Sequence, residues 1–226
     1  MKLVIFDLDQ TLVDFLSVHD EATRELFRKF FGVEARLTEI DFAGKSLTDI
    51  FLELARSKGI PESKSGRIGR ELLENYERIF GERLLRDTSD HVLPGVRKLL
   101  EELSKTGNFV VLYTGDSAGI VERVLNATGL GKYFRFSVYG TDAETRVGMV
   151  RLAVKKAERI TGKKFRDKDI VIIGDSIRDV ESGKQLNATT IAVATGFHSE
   201  EQLSASGPDY LFRNLKNYKK VLQAIG

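Results

Sequence analysis

The chain has 226 residues, 42% of them hydrophobic, which is enough for one sizeable core or for a core that carries a smaller inserted domain. Lysine and arginine total 35 and aspartate and glutamate 33, so the net charge of +2 gives no electrostatic argument for a nucleic acid or an anionic membrane as partner. The absence of cysteine excludes disulfides, thiolate metal sites and cysteine nucleophiles.

The sequence predicts neither a membrane-spanning segment nor a secretion signal. It has no apolar stretch of the length that a bilayer requires, and Met1 and Lys2 lead directly into a short strand. We therefore expect a cytoplasmic protein.

A short apolar run, Leu3 to Phe6, predicts an N-terminal strand, and two carboxylates, Asp7 and Asp9, follow it directly. In extended backbone, residues i and i+2 face the same side, and the ligand crevices of open α/β sheets lie outside the carboxyl ends of their strands. We therefore expect both acids to reach one ligand. The pattern is only moderately specific by itself, because acids at strand ends also cap helices and form turns.

Residues 15–87 contain no convincing strand, and three helical patterns follow one another there. Each pattern has apolar residues on one face, which is typical of helices that pack together. These residues are Ala22, Leu26, Phe27 and Phe30, then Leu47, Ile50, Phe51 and Leu54, then Leu72, Leu73, Tyr76, Ile79 and Phe80. We predict an all-helical cap domain over residues 15–87, inserted into a core domain that comprises residues 1–14 and 88–226.

From about residue 90, short apolar strands alternate with helical patterns. This rhythm is typical of a parallel sheet that is covered by helices on both faces. The predicted fold class is therefore α/β, with a doubly wound parallel sheet. The strand that begins at Phe109 ends in Thr114 and Gly115, a hydroxyl residue followed by a glycine.

The strand that begins at Ile170 ends in further carboxylates, Asp175 and Asp179. These two acids are four residues apart where a loop turns into a helix, so they can converge on one side. With Asp7 they form an acidic cluster suited to Mg²⁺, a cation that prefers oxygen ligands.

Taken in order, these segments resemble the haloacid dehalogenase superfamily, and within it the phosphatases of the phosphoglycolate phosphatase and β-phosphoglucomutase type. The resemblance covers nearly the whole chain. It rests on the residues from Asp7 to Asp14, Leu93 to Val96, Thr114-Gly115, Arg146, and Gly174 to Asp179. It implies a Rossmann-like core with a helical cap inserted after the first strand.

The resemblance also implies a magnesium-dependent phosphatase for a small phosphomonoester of the phosphoglycolate or sugar phosphate class. Asp7 would be the nucleophile that forms an aspartyl-phosphate. Asp9 would be the general acid that protonates the leaving alkoxide, and then the base that activates water. Thr114 would donate its hydroxyl to a phosphoryl oxygen, and Gly115 would let backbone N–H groups approach the anion.

In the same resemblance, Arg146 would supply positive charge to the phosphoryl group and keep the aspartates ionised. The family usually has lysine followed by proline at this position, so Arg151 and Lys155 remain alternatives. Four carboxylates would hold the Mg²⁺ ion: Asp7, Asp9, Asp175 and Asp179.

Other positions depart from the family or carry weaker signals. The family usually has glycine at Gln10 and asparagine near Asp116, and a carboxylate beside a bound anion is unfavourable, so we assign Asp116 no catalytic role. Lys45, in the cap, would bind a substrate anion, or it is a solvated loop lysine. The three histidines lie in separate segments without metal-ligand spacing and are predicted to have surface or loop roles: His19, His91 and His198.

Two other functions remain open. A phosphomutase would form the same aspartyl-phosphate but pass it to a second hydroxyl group. A non-catalytic phospho-receiver also has acids and a threonine at a sheet edge, although the cap and Asp9 argue against it. The expected partner is a small phosphorylated metabolite, with no nucleic acid and no membrane, and the protein is expected to be a monomer or a homodimer.

Overall fold

The computed structural model describes residues 1–61, 69–84 and 90–226. These residues form a six-stranded parallel sheet with the strand order β3-β2-β1-β4-β5-β6. Its strands are β1 (Leu3–Phe6), β2 (Phe109–Tyr113), β3 (Ser137–Val138), β4 (Ile170–Gly174), β5 (Thr189–Val193) and β6 (Tyr210–Phe212). The chain winds outward from β1 through β2 to β3 and then restarts at β4 on the other side of β1. A ligand crevice is therefore expected at the carboxyl ends of β1 and β4, where the winding direction reverses.

Helices cover both faces of the sheet, which confirms the predicted doubly wound α/β fold. The core helices are α4 (Val96–Ser104), α5 (Ala118–Thr128), α6 (Arg146–Thr161), α7 (Ile177–Lys184), α8 (Glu200–Ala205) and α9 (Tyr218–Ile225). Successive residues of a strand point to opposite faces. Val4 and Phe6 accordingly pack on the side of α4, α5 and α9, whereas Leu3 and Ile5 pack on the side of α6. Because both faces are buried, β1 is apolar throughout.

In the segment predicted to be the cap, which is called the cap below, the described residues form three α-helices, α1 (Leu16–Phe31), α2 (Leu47–Ser57) and α3 (Gly69–Leu84). Their predicted inner faces meet in an aromatic cluster, in which the Phe51 ring lies 4.9 Å from Tyr76 and 6.3 Å from Phe27 between ring centroids. The helical character predicted for this segment agrees with the structure. Residues 87 and 88, where the predicted domain boundary falls, lie outside the described residues, so that boundary stays a prediction.

The sheet differs from the sequence patterns in two details. The strand predicted from Phe134 to Tyr139 is shortened to Ser137–Val138, and the patterns did not predict β6 at all. Both are edge strands of two or three residues, too short to produce a periodic signal. Within the described parts of the chain, none of the helices combines the length and apolar character needed to cross a membrane.

The cap contacts the core through the segment that precedes α2. The backbone N–H of Leu47 donates to the carbonyl of Gly115 at 3.1 Å. From the core, the Arg178 guanidinium donates to the Asp41 carboxylate at 3.0 Å and to the Ala43 carbonyl at 2.6 Å. These bonds bring the cap over the carboxyl edge of the sheet, where β1, β2 and β4 end.

Gly115 is needed for this close approach. A Cβ atom built on Gly115 would lie 2.0 Å from the carbonyl oxygen of Lys45 and 3.2 Å from Cα of Ser46. Close packing against the cap therefore requires glycine at position 115, independently of the anion-binding role predicted for this residue.

We expect Gly115→Ala to lower the free energy of unfolding by about 1–3 kcal/mol, because the added methyl group overpacks a backbone contact. The control is Gly107→Ala, where no heavy atom outside the immediate chain neighbours lies within 4 Å of the new Cβ. Urea unfolding of both variants beside the wild type measures the difference. Equal stability of the two variants would show that the cap can shift without cost.

Candidate active site

The polar residues that follow three neighbouring strands meet at one edge of the sheet. Asp7 follows β1, Thr114 follows β2 and Asp175 follows β4. All three side chains are buried, with exposed fractions of 6%, 2% and 5%. The backbone N–H of Asp7 donates to the carbonyl of Ile173 at 2.9 Å, which continues the β1–β4 pairing one step beyond β1. The parallel register therefore places these residues side by side.

Asp7, Asp175 and Asp179 form the first acidic cluster, in which the facing carboxylate oxygens lie within 4.8 Å of one another. Thr11 Oγ1 lies 3.0 Å from Asp175 Oδ1 and 3.4 Å from Asp7 Oδ2, so it can donate its proton to either. Burial raises the pKa of Asp7 to about 7, and burial together with the charge of Asp7 raises the pKa of Asp175 well above its ordinary value. Such a cluster of buried carboxylates fits a divalent cation, which would relieve their repulsion.

Asp179 differs from the other two because its carboxylate is surrounded by donors. It forms a capping box with Ser176, whose N–H and Oγ donate to Asp179 Oδ2 at 3.0 and 2.7 Å. Its other oxygen accepts from the Tyr113 hydroxyl and from Arg146. Burial opposes ionisation, but the Arg146 charge and these hydrogen bonds lower the pKa of Asp179 overall. This carboxylate is therefore ionised and already bonded before any metal binds.

Arg146 lies between the carboxylates of Asp7 and Asp179. Its Nε donates to Asp179 Oδ1 at 2.9 Å, and its Nη2 donates to Asp179 Oδ1 and to Asp7 Oδ1. The guanidinium carbon is 4.1 Å from the centroid of the Tyr113 ring, a cation–π contact. Arg146 is the first residue of α6. The alternatives considered for its role, Arg151 and Lys155, are exposed further along that helix.

A second polar cluster consists of Asp9, His19 and Asp116. His19 Nε2 lies 3.5 Å from Asp9 Oδ1 and 3.9 Å from Asp116 Oδ2, and His19 Nδ1 is 2.7 Å from the Tyr76 hydroxyl. Asp9 was predicted to hold the metal with Asp7, but the structure places its carboxylate in this second cluster instead.

The prediction of surface or loop roles for the histidines is wrong for His19, which is buried on the inner face of α1, whereas His198 lies in a loop, although its side chain is buried. Asp116, which was assigned no role, is buried beside Asp9. Burial and the Asp9 charge raise the pKa of Asp116 well above its ordinary value. Burial opposes ionisation of Asp9 too, but the neighbouring His19 lowers the pKa of Asp9 overall.

A cavity lies between the cap and the core, at the carboxyl edge of the sheet. Most of the predicted site residues line it, and Asp179 lies behind Arg146. The lining residues among them are Asp7, Asp9, Lys45, Thr114, Gly115, Arg146 and Asp175. Lys45 forms an ion pair with Glu53 of α2 rather than remaining unpaired. Thr114 Oγ1 accepts from the N–H of Asp116 at 3.2 Å, so its own proton is free for a ligand.

Comparison with known proteins gives consistent matches. The family model described as haloacid dehalogenase-like hydrolase matches residues 4–193. A phosphoglycolate phosphatase from Vibrio parahaemolyticus is 28% identical over 98% of this chain and 96% of that protein. The crystal structure of a predicted phosphatase from Clostridium acetobutylicum superposes with a TM-score of 0.79 at 24% identity, covering 98% of each chain. A β-phosphoglucomutase from Clostridium difficile reaches a TM-score of 0.78 at 16% identity, covering 100% of this chain and 97% of that one.

The raised pKa of Asp7 predicts how stability depends on pH when no metal is bound. Between 3.8 and about 7 the folded protein holds a proton on Asp7 that the unfolded chain has lost. Stability from this group therefore falls as pH rises through that range and is constant above it. Asp7→Asn, which stays neutral, should be more stable than the wild type at pH 8 by up to about 4 kcal/mol, with little difference at pH 4.

Urea unfolding in chelator at pH 4 and pH 8 measures this difference. Asp169→Asn is the control, because its side chain is 45% exposed at the opposite end of β4. A lower stability of Asp7→Asn than of the wild type at pH 8 would contradict the buried-charge argument.

Proposed function

This chain belongs to the haloacid dehalogenase-like hydrolase family, and we propose that it is a Mg²⁺-dependent phosphatase that hydrolyses a small phosphomonoester through an aspartyl-phosphate on Asp7. The observation that carries the proposal is the position of Asp7. It lies at the carboxyl end of β1, between an arginine and a second carboxylate, and it opens into the cavity beside Asp9. The phosphoglycolate phosphatases among the relatives support a substrate of the phosphoglycolate or sugar phosphate class.

Asp7, Asp175 and Asp179 are the residues proposed to hold the metal. Among the described residues, the three buried carboxylates have a single arginine as counter-charge within hydrogen-bond reach, so the cluster retains a negative surplus when all are ionised. Bound there, Mg²⁺ would withdraw charge from the phosphate dianion and so allow a carboxylate to approach phosphorus. The five hydrogen bonds that Asp179 accepts suggest that this residue mainly holds Arg146, while Asp7 and Asp175 face the cavity.

In the proposed first step, a carboxylate oxygen of Asp7 attacks phosphorus and the phosphorus–oxygen bond to the alcohol breaks. Arg146 and the free proton of the Thr114 hydroxyl stabilise the phosphoryl oxygens as their charge changes. The departing alkoxide takes a proton from Asp9. In the second step Asp9 takes a proton from water, the water oxygen attacks phosphorus, and the Asp7 carboxylate leaves.

Asp9 has a suitable environment for both proton transfers. Burial opposes ionisation of Asp9, but the neighbouring His19 lowers its pKa overall, which favours the carboxylate that accepts a proton from water. Arrival of a phosphate dianion raises the pKa of a nearby carboxyl group, because like charges disfavour ionisation. This favours the protonated form of Asp9 that the departing alkoxide needs. His19, 3.5 Å from Asp9, fixes the orientation of its carboxylate.

We expect phosphate release from p-nitrophenyl phosphate and from acetyl phosphate to require Mg²⁺ and to be abolished in Asp7→Asn, because both the charge neutralisation and the nucleophile are lost. Asp169→Asn serves as the control and should retain wild-type turnover. Colorimetric phosphate detection with and without chelator measures the rates. Activity that survived in folded Asp7→Asn protein would refute the nucleophile assignment, and isomerisation of a hexose phosphate without phosphate release would indicate a mutase.

The role of Asp9 predicts a dependence on the leaving group. Nitrophenolate leaves without a proton, whereas an alkoxide needs one. Asp9→Asn should therefore reduce kcat for an alkyl phosphate such as glycerol phosphate about 10²–10⁴-fold, and reduce the formation of the phosphoenzyme from p-nitrophenyl phosphate much less. Rapid-quench measurement of the first turnover separates this step from hydrolysis of the intermediate. An equal loss for both substrates would argue that Asp9 does not protonate the leaving group.

A further inference from the structure

We propose that the half of the cavity beside Asp9 selects phosphomonoesters whose leaving group is uncharged and carries hydroxyl donors, and that it disfavours a leaving group that ends in a carboxylate. The inference rests on the proposed phosphatase function and narrows its substrate class to polyol and sugar phosphates. The selective region consists of His19, Tyr76 and Asp116, with Lys45 and Glu53 at its rim. It is called the leaving-group subsite below.

Three polar atoms in the leaving-group subsite have no hydrogen-bond partner in the described parts of the chain. They are Asp9 Oδ1, His19 Nε2 and Asp116 Oδ2. The residues His19 and Asp116 are more than nine-tenths buried, with exposed fractions of 7% and 6%, and all three residues line the cavity. Buried polar groups without partners are costly, so they indicate a ligand that completes their hydrogen bonds. Two of the three atoms are carboxyl oxygens, which accept from hydroxyl donors.

The cavity offers no uncompensated cation to a carboxylate on the leaving group. Within the described residues, the lysine and arginine that line it are Lys45 and Arg146. Lys45 is paired with Glu53, and Arg146 is bonded to Asp7 and Asp179. His19 lies between two carboxyl groups, so even a protonated His19 gives the subsite no net positive charge.

The cap contributes five apolar side chains to the lining of the cavity, and they suit the carbon skeleton of a small molecule: Leu16, Leu37, Phe42, Leu47 and Ile50. Apolar walls do not compensate the cost of removing a carboxylate from water, whereas they accept the methylene groups of an alcohol. Both the polar and the apolar parts therefore disfavour an anionic leaving group.

The first test is a matched pair of substrates, 2-phosphoglycolate and 2-hydroxyethyl phosphate, which share two carbons and differ in a carboxylate against a hydroxymethyl group. We expect the wild type to show a kcat/KM for 2-hydroxyethyl phosphate at least about tenfold above that for 2-phosphoglycolate, because a hydroxyl group can donate to the carboxyl oxygens of Asp9 and Asp116, whereas a carboxylate there finds no uncompensated cation among the described residues. p-Nitrophenyl phosphate and acetyl phosphate, assayed in parallel, report whether the phosphatase chemistry itself is present.

The second test uses Glu53→Gln, which would free the Lys45 ammonium group to face the cavity. The ratio of the two kcat/KM values should shift about tenfold towards 2-phosphoglycolate, the change expected when a cation becomes available to a carboxylate. Glu82→Gln is the matched control, because Glu82 forms an ion pair with Arg78 on the exposed surface of α3 in the same cap. Its ratio should equal that of the wild type.

Asp116→Asn gives a third measurement, because it replaces one acceptor oxygen of the subsite by an N–H donor. It should also shift the ratio towards 2-phosphoglycolate. The inference would be overturned if the wild type preferred 2-phosphoglycolate, or if the ratio were unchanged in both Glu53→Gln and Asp116→Asn. Turnover of p-nitrophenyl phosphate or acetyl phosphate would in that case leave the phosphatase function intact. No turnover of any of the four compounds with Mg²⁺ would contradict the proposed function itself. Calorimetric binding of two Mg²⁺ ions per chain, reduced to one in His19→Asn, would assign the three atoms to a metal and also overturn the inference.

Discussion

The bridge from Arg146 to Asp7 and Asp179 connects the elements on which the site depends. Arg146 begins α6, Asp7 follows β1, Asp179 lies in the first turn of α7, and the supporting ring of Tyr113 ends β2. Because Arg146 and Asp179 are buried, loss of Arg146 would leave the Asp179 carboxylate without its cationic partner, a change that typically costs about 3–5 kcal/mol. Arginine suits this position better than lysine would, since its planar fork bonds two carboxylates while its face lies on the ring.

One arginine cannot neutralise three buried carboxylates, so a surplus of negative charge remains. This surplus determines how the site responds to protons and to cations. Without a cation, the surplus is reduced by protonation, as the raised pKa values of Asp7 and Asp175 indicate. A divalent ion would displace those protons, so metal binding and proton release are coupled at this site. The carboxylates are therefore unfavourable for the stability of the metal-free fold. Their arrangement is understandable only if their charge is needed for binding and chemistry.

The sequence contains enough information for the core half of the site but not for the cap half. Asp7, Thr114 and Asp175 could be predicted because parallel strands end at one edge, whatever the details of packing. The second cluster depends on how α1 docks over β1, which no local pattern specifies. A partial signal exists, since His19 shares the apolar helical face of Ala22 and Leu26, at positions i, i+3 and i+7. The same limit applies to the Lys45–Glu53 ion pair, which requires the geometry of the turn into α2.

One turn of α7 forms hydrogen bonds with the cap and also contributes Asp179 to the first acidic cluster. Arg178 faces the cap and bonds Asp41 and Ala43, whereas the adjacent Asp179 faces the core and bonds Arg146. Neighbouring residues on a helix point about 100° apart, so one short turn can hold both contacts at once. The docked cap therefore places the leaving-group subsite over Asp9 and also shields the carboxylates below it from solvent. In that drier environment each charge acts more strongly on its neighbours, so the pairing of Lys45 with Glu53 decides which leaving groups the cavity can accept.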